Sequence, residues 1–101
     1  MKTSELTRAA LNWAVARCEG GVGKNQLLGA WYAPSTDWAQ GGAIIERENI
    51  CLWSEGYDWE AKIQIGSGQW LAEWDEYPLI AAMRCYVASK LGDEVELPPN
   101  L

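Results

Sequence analysis

Trp59-Glu60-Ala61-Lys62-Ile63-Gln64-Ile65-Gly66-Ser67-Gly68-Gln69-Trp70-Leu71-Ala72-Glu73-Trp74-Asp75 is the stretch that decides the fold. Trp59, Ala61, Ile63 and Ile65 alternate with Glu60, Lys62 and Gln64, the period-two signature of a half-buried strand. Beyond Gly66 and Gly68, Trp70, Ala72 and Trp74 alternate with Leu71, Glu73 and Asp75. A two-residue turn at Ser67-Gly68 would pair Ile65 with Trp70, Ile63 with Ala72 and Ala61 with Trp74 on the core face. Lys62 would then oppose Glu73 on the other face, and Glu60 would oppose Asp75. A slip of one residue would mix the faces, so the pattern speaks against it.

Upstream of the hairpin, Ile44-Ile45 and Ile50-Cys51-Leu52-Trp53 read as two further short strands. The chain opens on a helix that Thr3 or Ser4 can cap, that Glu5 favours at its positive end and that Gly20-Gly21 closes. Leu6, Ala10, Leu11, Trp13, Ala14, Val15 and Cys18 share one arc of it, broken only by Arg17. Residues 20–24, Gly-Gly-Val-Gly-Lys, lack the Walker spacing of a phosphate loop and read as a flexible turn. A last helix runs from Pro78 to Leu91 and stops at Gly92. It is apolar nearly all round and so needs cover on two sides, from the sheet and the first helix or from a second subunit. The predicted class is α+β: an N-terminal helix, a small antiparallel sheet with a Trp-rich hairpin, and a C-terminal helix on that sheet. One domain spans residues 1–101, with the acidic, Pro98-Pro99-containing stretch 93–101 expected to fray.

Composition narrows the function by exclusion. Fourteen carboxylates face eight scattered Lys and Arg, for a net charge of −6. Counterion release from phosphates needs a concentrated basic footprint, so direct nucleic-acid binding and attraction to an anionic membrane are not expected. The longest apolar run, residues 79–83, is far too short to span a bilayer, and Glu5 and Arg8 interrupt any secretory core. The chain has no His, which removes Ser-His-Asp and Cys-His catalysis and leaves no ready general base near neutral pH. Cys18, Cys51 and Cys85 stand singly, without metal-ligand spacing, and read as apolar thiols in a reducing compartment. No catalytic residues, metal or cofactor are expected.

Seven Trp and no Phe point elsewhere, because an indole offers both a large apolar face and an N–H that wants a partner. Residues 31–46 read Trp-Tyr-Ala-Pro-Ser-Thr-Asp-Trp-Ala-Gln-Gly-Gly-Ala-Ile-Ile-Glu. Trp31 and Trp38 supply flat rings for stacking. Ser35, Thr36, Asp37, Gln40 and Glu46 supply hydrogen-bonding groups, and Gly41 and Gly42 expose backbone N–H. That is the inventory of a small polar-ligand site. A structural reading of the same residues has Ser35 or Thr36 capping a helical turn, Trp38 plugging the core, and Gly41-Gly42 turning the chain into a strand.

Thr3-Ser4-Glu5-Leu6-Thr7 with Leu11 and Trp13-Ala14-Val15-Ala16, then Ser35-Thr36-Asp37-Trp38-Ala39-Gln40-Gly41-Gly42 with Ile44-Ile45-Glu46, and the long block from Pro78 to Val95, resemble the NinX-like family of bacteriophage proteins. Ala43 stands where that family usually carries Pro. The resemblance implies an accessory protein expressed in a bacterial host cytoplasm and brings no reaction with it. The leading expectation is a non-enzymatic phage or prophage protein that holds a small polar or nucleotide-like ligand on the Trp-lined loop and sequesters a host signal. The second is an acidic inhibitor or adaptor acting on a host defence or nucleic-acid-binding protein, since residues 46–76 hold eight carboxylates against Arg47 and Lys62. A homodimer would give the second helix and the many Trp further cover.

Overall fold

A computed structural model describes residues 1–23, 28–99 and 101 of the protein. Lys24, the last residue of the Gly-rich turn, lies outside them. The described elements are a 3-10 turn Thr3–Glu5, helix α1 Arg8–Cys18, helix α2 Trp38–Glu48, strands β1 Cys51–Ser54, β2 Trp59–Ile65 and β3 Gln69–Asp75, and helix α3 Pro78–Leu91. The strands form one antiparallel sheet in the order β1-β2-β3. This is the α+β class read from the sequence.

Helix α3 is the middle layer. It packs on β2 and β3 on one side and on α1 and α2 on the other. Residues 79–87 are all buried, which is why the helix is apolar all round. Cys85 faces the sheet, its Sγ donating to the carbonyls of Ala61 (3.5 Å) and Leu71 (3.4 Å), and burial pushes the thiol up to about 12. Pro78 starts the helix and Gly92, at φ 87°, ends it, as the sequence predicts.

Several sequence expectations give way. The first helix does not begin at Thr3 or Ser4. Thr3 is buried and instead ties the chain ends together, its Oγ1 donating to Gly92 O at 2.7 Å and its N–H to Asp93 O at 2.9 Å. Helix α1 therefore begins four residues later, after extended Thr7. In place of the expected fraying, the start of the tail is bound: Lys2 bridges Glu94, Met1 and Val95 exchange two backbone hydrogen bonds, and Val95 and Pro98 are buried.

Ile44-Ile45 are not a strand but the apolar stripe of α2. Asp37 caps that helix, its Oδ1 accepting from Ala39 N–H at 2.9 Å, and left-handed Asn49 closes it. Gly41-Gly42, read as a turn, lie inside the helix. Two Gly there cost about 1 kcal/mol each relative to Ala, and for Gly41 close packing explains the choice: a Cβ would press on Pro34 O and come within 2.6 Å of Leu79 Cδ2.

The hairpin is real, but its register is one residue away from the expected one. Ile65 pairs with Gln69, Ile63 with Leu71, Ala61 with Glu73, Glu60 with Trp74 and Trp59 with Asp75, across a three-residue loop in which Gly66 and Gly68 both have positive φ. The slip turns Trp70 and Trp74 outward and carries Leu71, Glu73 and Asp75 to the α3 side. Arg84 explains why this face accepts carboxylates. Its side chain is buried, Nη1 pairs with Asp75 Oδ1 at 3.0 Å and donates to Trp74 O at 2.9 Å, and Nε donates to Leu6 O at 2.8 Å. Burial still raises the Glu73 carboxyl above its ordinary range, although the nearby Arg84 opposes this.

A second polar tie joins the three helices. Arg47 of α2 grips Glu19, just past α1, with both terminal nitrogens (2.9 and 2.6 Å), and the Tyr86 hydroxyl of α3 donates to the same carboxylate. These hydrogen bonds hold the Glu19 carboxyl below the usual range.

Two predictions follow from these ties. Arg84→Ala leaves two carbonyls and Asp75 without their partner and should lower unfolding free energy by about 3 kcal/mol in urea titration, with Asp75→Asn recovering part of the loss. The Glu19 contribution is present above pH 4.5, its ordinary value, and fades as pH falls through the lowered one. Glu19→Gln should therefore be less stable than wild type at neutral pH, and the two melting curves should converge in acid.

Candidate functional site

Residues 31–37 fold into a compact turn that the start of α2 holds closed. The N–H groups of Thr36 (3.1 Å) and Asp37 (2.8 Å) both donate to Ala33 O. Gln40 reaches back from the first turn of α2. Its Nε2 donates to Trp31 O (2.9 Å) and Asp37 Oδ2 (3.0 Å), and its Oε1 accepts from Ala33 N–H (2.8 Å). Two of the expected ligand groups are thus already engaged, Gln40 on the loop's backbone and Asp37 on Gln40 and on Ala39 N–H of α2. Asn12 of α1 fixes the turn from below, its Oδ1 accepting from Ser35 N–H at 2.9 Å.

This anchoring sorts the nine expected residues. Ser35, Thr36 and Trp38 come together on one wall of a groove of about 290 Å3, completed by Arg8 and by Tyr77, Pro78, Leu79 and Ile80 at the start of α3. Asp37, Gln40 and Gly41 hold the wall in place from behind. Gly42 lies against the Trp38 ring, Glu46 is exposed farther along α2, and Trp31 is 78% exposed with its ring edge-to-face on Tyr32. None of these six lines the groove. Trp38 does not plug the core, being 54% exposed, and the cap is Asp37 rather than Ser35 or Thr36.

Sequence reading missed Arg8 and Tyr77. Tyr77 is the N-cap residue of α3, held by its N–H donating to Asp75 Oδ2 at 3.0 Å, and the ring stays half exposed. The signal for it was its place before Pro78. Arg8 is the first residue of α1 and has φ 44°, in the left-handed region where a residue with a side chain is strained by about 1–3 kcal/mol. Nothing in the linear sequence marks it.

The groove differs in character from the rest of the molecule. No carboxylate lines it, and among the described residues the Arg8 guanidinium has neither an ion pair nor a side-chain hydrogen bond. An acidic protein therefore carries a locally cationic recess between two half-exposed aromatic rings. Ser35 is buried, and its Oγ is sealed without a hydrogen-bond partner among the described residues, a costly state for a hydroxyl. No lining side chain is a base that could activate it. Apolar cavities of about 150 Å3 already accept benzene, so this groove has room for a compact molecule of one or two rings.

Among the described residues, no three His, Cys, Asp or Glu side chains gather to hold a metal ion, and no helix is long and apolar enough to cross a membrane. The three cysteines are free: Cys85 is buried, Cys18 partly so, and Cys51 exposed. Gly41→Ala should force the turn off α2 and cost about 2 kcal/mol or more in denaturant unfolding, with Gly42→Ala nearly neutral by comparison.

A family model described as bacteriophage P22, NinX matches residues 2–90. No curated protein matches the chain.

Proposed function

The chain belongs to the bacteriophage P22 NinX family, and we propose that it binds a small, planar, anionic ligand without transforming it, in the groove between Arg8, Trp38 and Tyr77. The observation that carries this reading is the Arg8 guanidinium, without an ion pair among the described residues, held in a strained backbone conformation in a recess that lacks carboxylates. A phosphate or carboxylate on the ligand would neutralise it with charge-assisted hydrogen bonds. Trp38 and Tyr77 provide faces for a heterocycle, and the exposed Thr36 hydroxyl adds polar selectivity. The size of the groove suits a nucleotide-like molecule only if much of its sugar remains in solvent.

Binding without turnover is the role that the lining chemistry supports. With no histidine in the chain and no carboxylate in the lining, the site is better furnished for recognition than for proton transfer. For a phage protein, such a site would act by removing a host signalling molecule from circulation.

Native mass spectrometry of protein purified from its host reads out any retained molecule directly, and titration with nucleoside monophosphates gives affinities. Arg8→Gln and Trp38→Ala should each weaken retention about tenfold or more with circular dichroism unchanged, and Trp31→Ala should have little effect. Full retention in the Arg8→Gln/Trp38→Ala double variant would remove the groove as the site.

A further inference from the structure

The observed register leaves the sheet with an unusual outer face. Counting outward positions across the ladder puts Trp53, Glu60 and Trp74 in one row, Cys51, Lys62 and Ala72 in the next, and Gln64 with Trp70 beyond. Trp53, Trp70 and Trp74 are 66%, 51% and 49% exposed. Helix α3 covers only the opposite face of the sheet. Three half-exposed indoles on one small sheet are far more apolar surface than scattered single exposures would give.

We infer that this face docks an arginine-rich segment of another protein. The charge around the indoles selects the partner. Glu60 lies between Trp53 and Trp74, which are about 10 Å apart, two strand spacings. Glu55, Asp58 and Glu76 are exposed at that end of the sheet and have no ion pair among the described residues. Against these four carboxylates the face sets one cation, Lys62, whose Nζ is 3.9 Å from Glu60 Oε1. Nucleic acid would be repelled. A second copy docked face to face would bring two such carboxylate sets together with only two lysines between them. A guanidinium satisfies both parts of the surface: its plane stacks on indole, and its N–H fork meets a carboxylate edge-on. Lysine has neither the plane nor the fork and meets a carboxylate only as a point charge. Glu60 flanked by two indoles is thus a seat for one arginine, and Trp70 extends the track along the strands. This surface shares no residue with the groove at Arg8 and does not depend on the ligand proposed there.

The probe is a fluorescein-labelled nonapeptide of alternating Arg and Gly, read by anisotropy against the full-length protein, with Lys-Gly and Glu-Gly peptides as comparators. The arginine peptide should bind saturably at about 50 mM salt, several-fold tighter than the lysine peptide, and lose about tenfold or more by about 0.5 M salt. The glutamate peptide should not bind. Trp53→Ala/Trp74→Ala and Glu60→Gln should each weaken the arginine peptide about tenfold, whereas Trp38→Ala should not. Cys51, exposed on the same face, supplies a footprint in the unmodified protein, and saturating peptide should slow its alkylation. If the double Trp variant misfolds by circular dichroism, Glu60→Gln and the Cys51 footprint decide. Equal affinity for the lysine peptide, an unchanged Cys51 rate, or unchanged binding by Glu60→Gln would overturn the assignment. So would a concentration-dependent dimer in sedimentation that Trp53→Ala/Trp74→Ala abolishes, because the occupant would then be a second copy.

Discussion

A guanidinium buried at the centre of this protein organises much of what surrounds it. Arg84 lies on the one helix that touches every layer, and a charge there is tolerated only if its donors are met. Nε and Nη1 are met by two separate segments: the backbone before α1 at Leu6, and the end of β3, which supplies the Trp74 carbonyl and the Asp75 carboxylate. The requirement for a carboxylate at the sheet's inner edge is consistent with the hairpin register. That register in turn sends Trp70 and Trp74 to the outside. The exposed aromatic face is therefore linked to how a buried charge is neutralised.

The same logic of close approach positions the groove. Helix α2 sits low over the turn at residues 33–37 because Gly41 offers no side chain to hold it off Pro34 and Leu79. Asp37 and Gln40 complete the turn's backbone hydrogen bonds, so it needs no ligand to keep its shape. Trp38 is left at the rim as the first residue of the helix, opposite Tyr77 at the start of α3. Two helix starts and the strained first residue of a third thus meet at one recess. Rigid elements rather than a long loop position its side chains, which suits recognition of a small molecule.

The two surfaces have opposite electrostatic character within a chain of net charge −6. The groove is a cationic recess with aromatic walls, while the sheet face is an open aromatic surface rimmed by carboxylates. The two surfaces share no residue, so the opposite signs stay on separate parts of one small fold.

How much of this was legible beforehand follows from which interactions are local. Proline at 78, glycine at 92 and an apolar surface all round specify α3 and its place between two layers, because helix ends and burial are written in short-range chemistry. The two strands of the hairpin are equally plain from their alternation. The groove was half legible: Ser35, Thr36 and Trp38 stand close in sequence, but Arg8 and Tyr77 reach them only when α1 and α3 converge. Ile44-Ile45 after Gly41-Gly42 were ambiguous, since two apolar residues have no period and a glycine pair reads as a turn until a helix is seen to need its close contact. Register and exposure were beyond local reading altogether. Both faces of β3 alternate equally well, and the observed choice, carboxylates inward and indoles outward, matches a buried cation on a different element, Arg84, whose Nη1 pairs with Asp75.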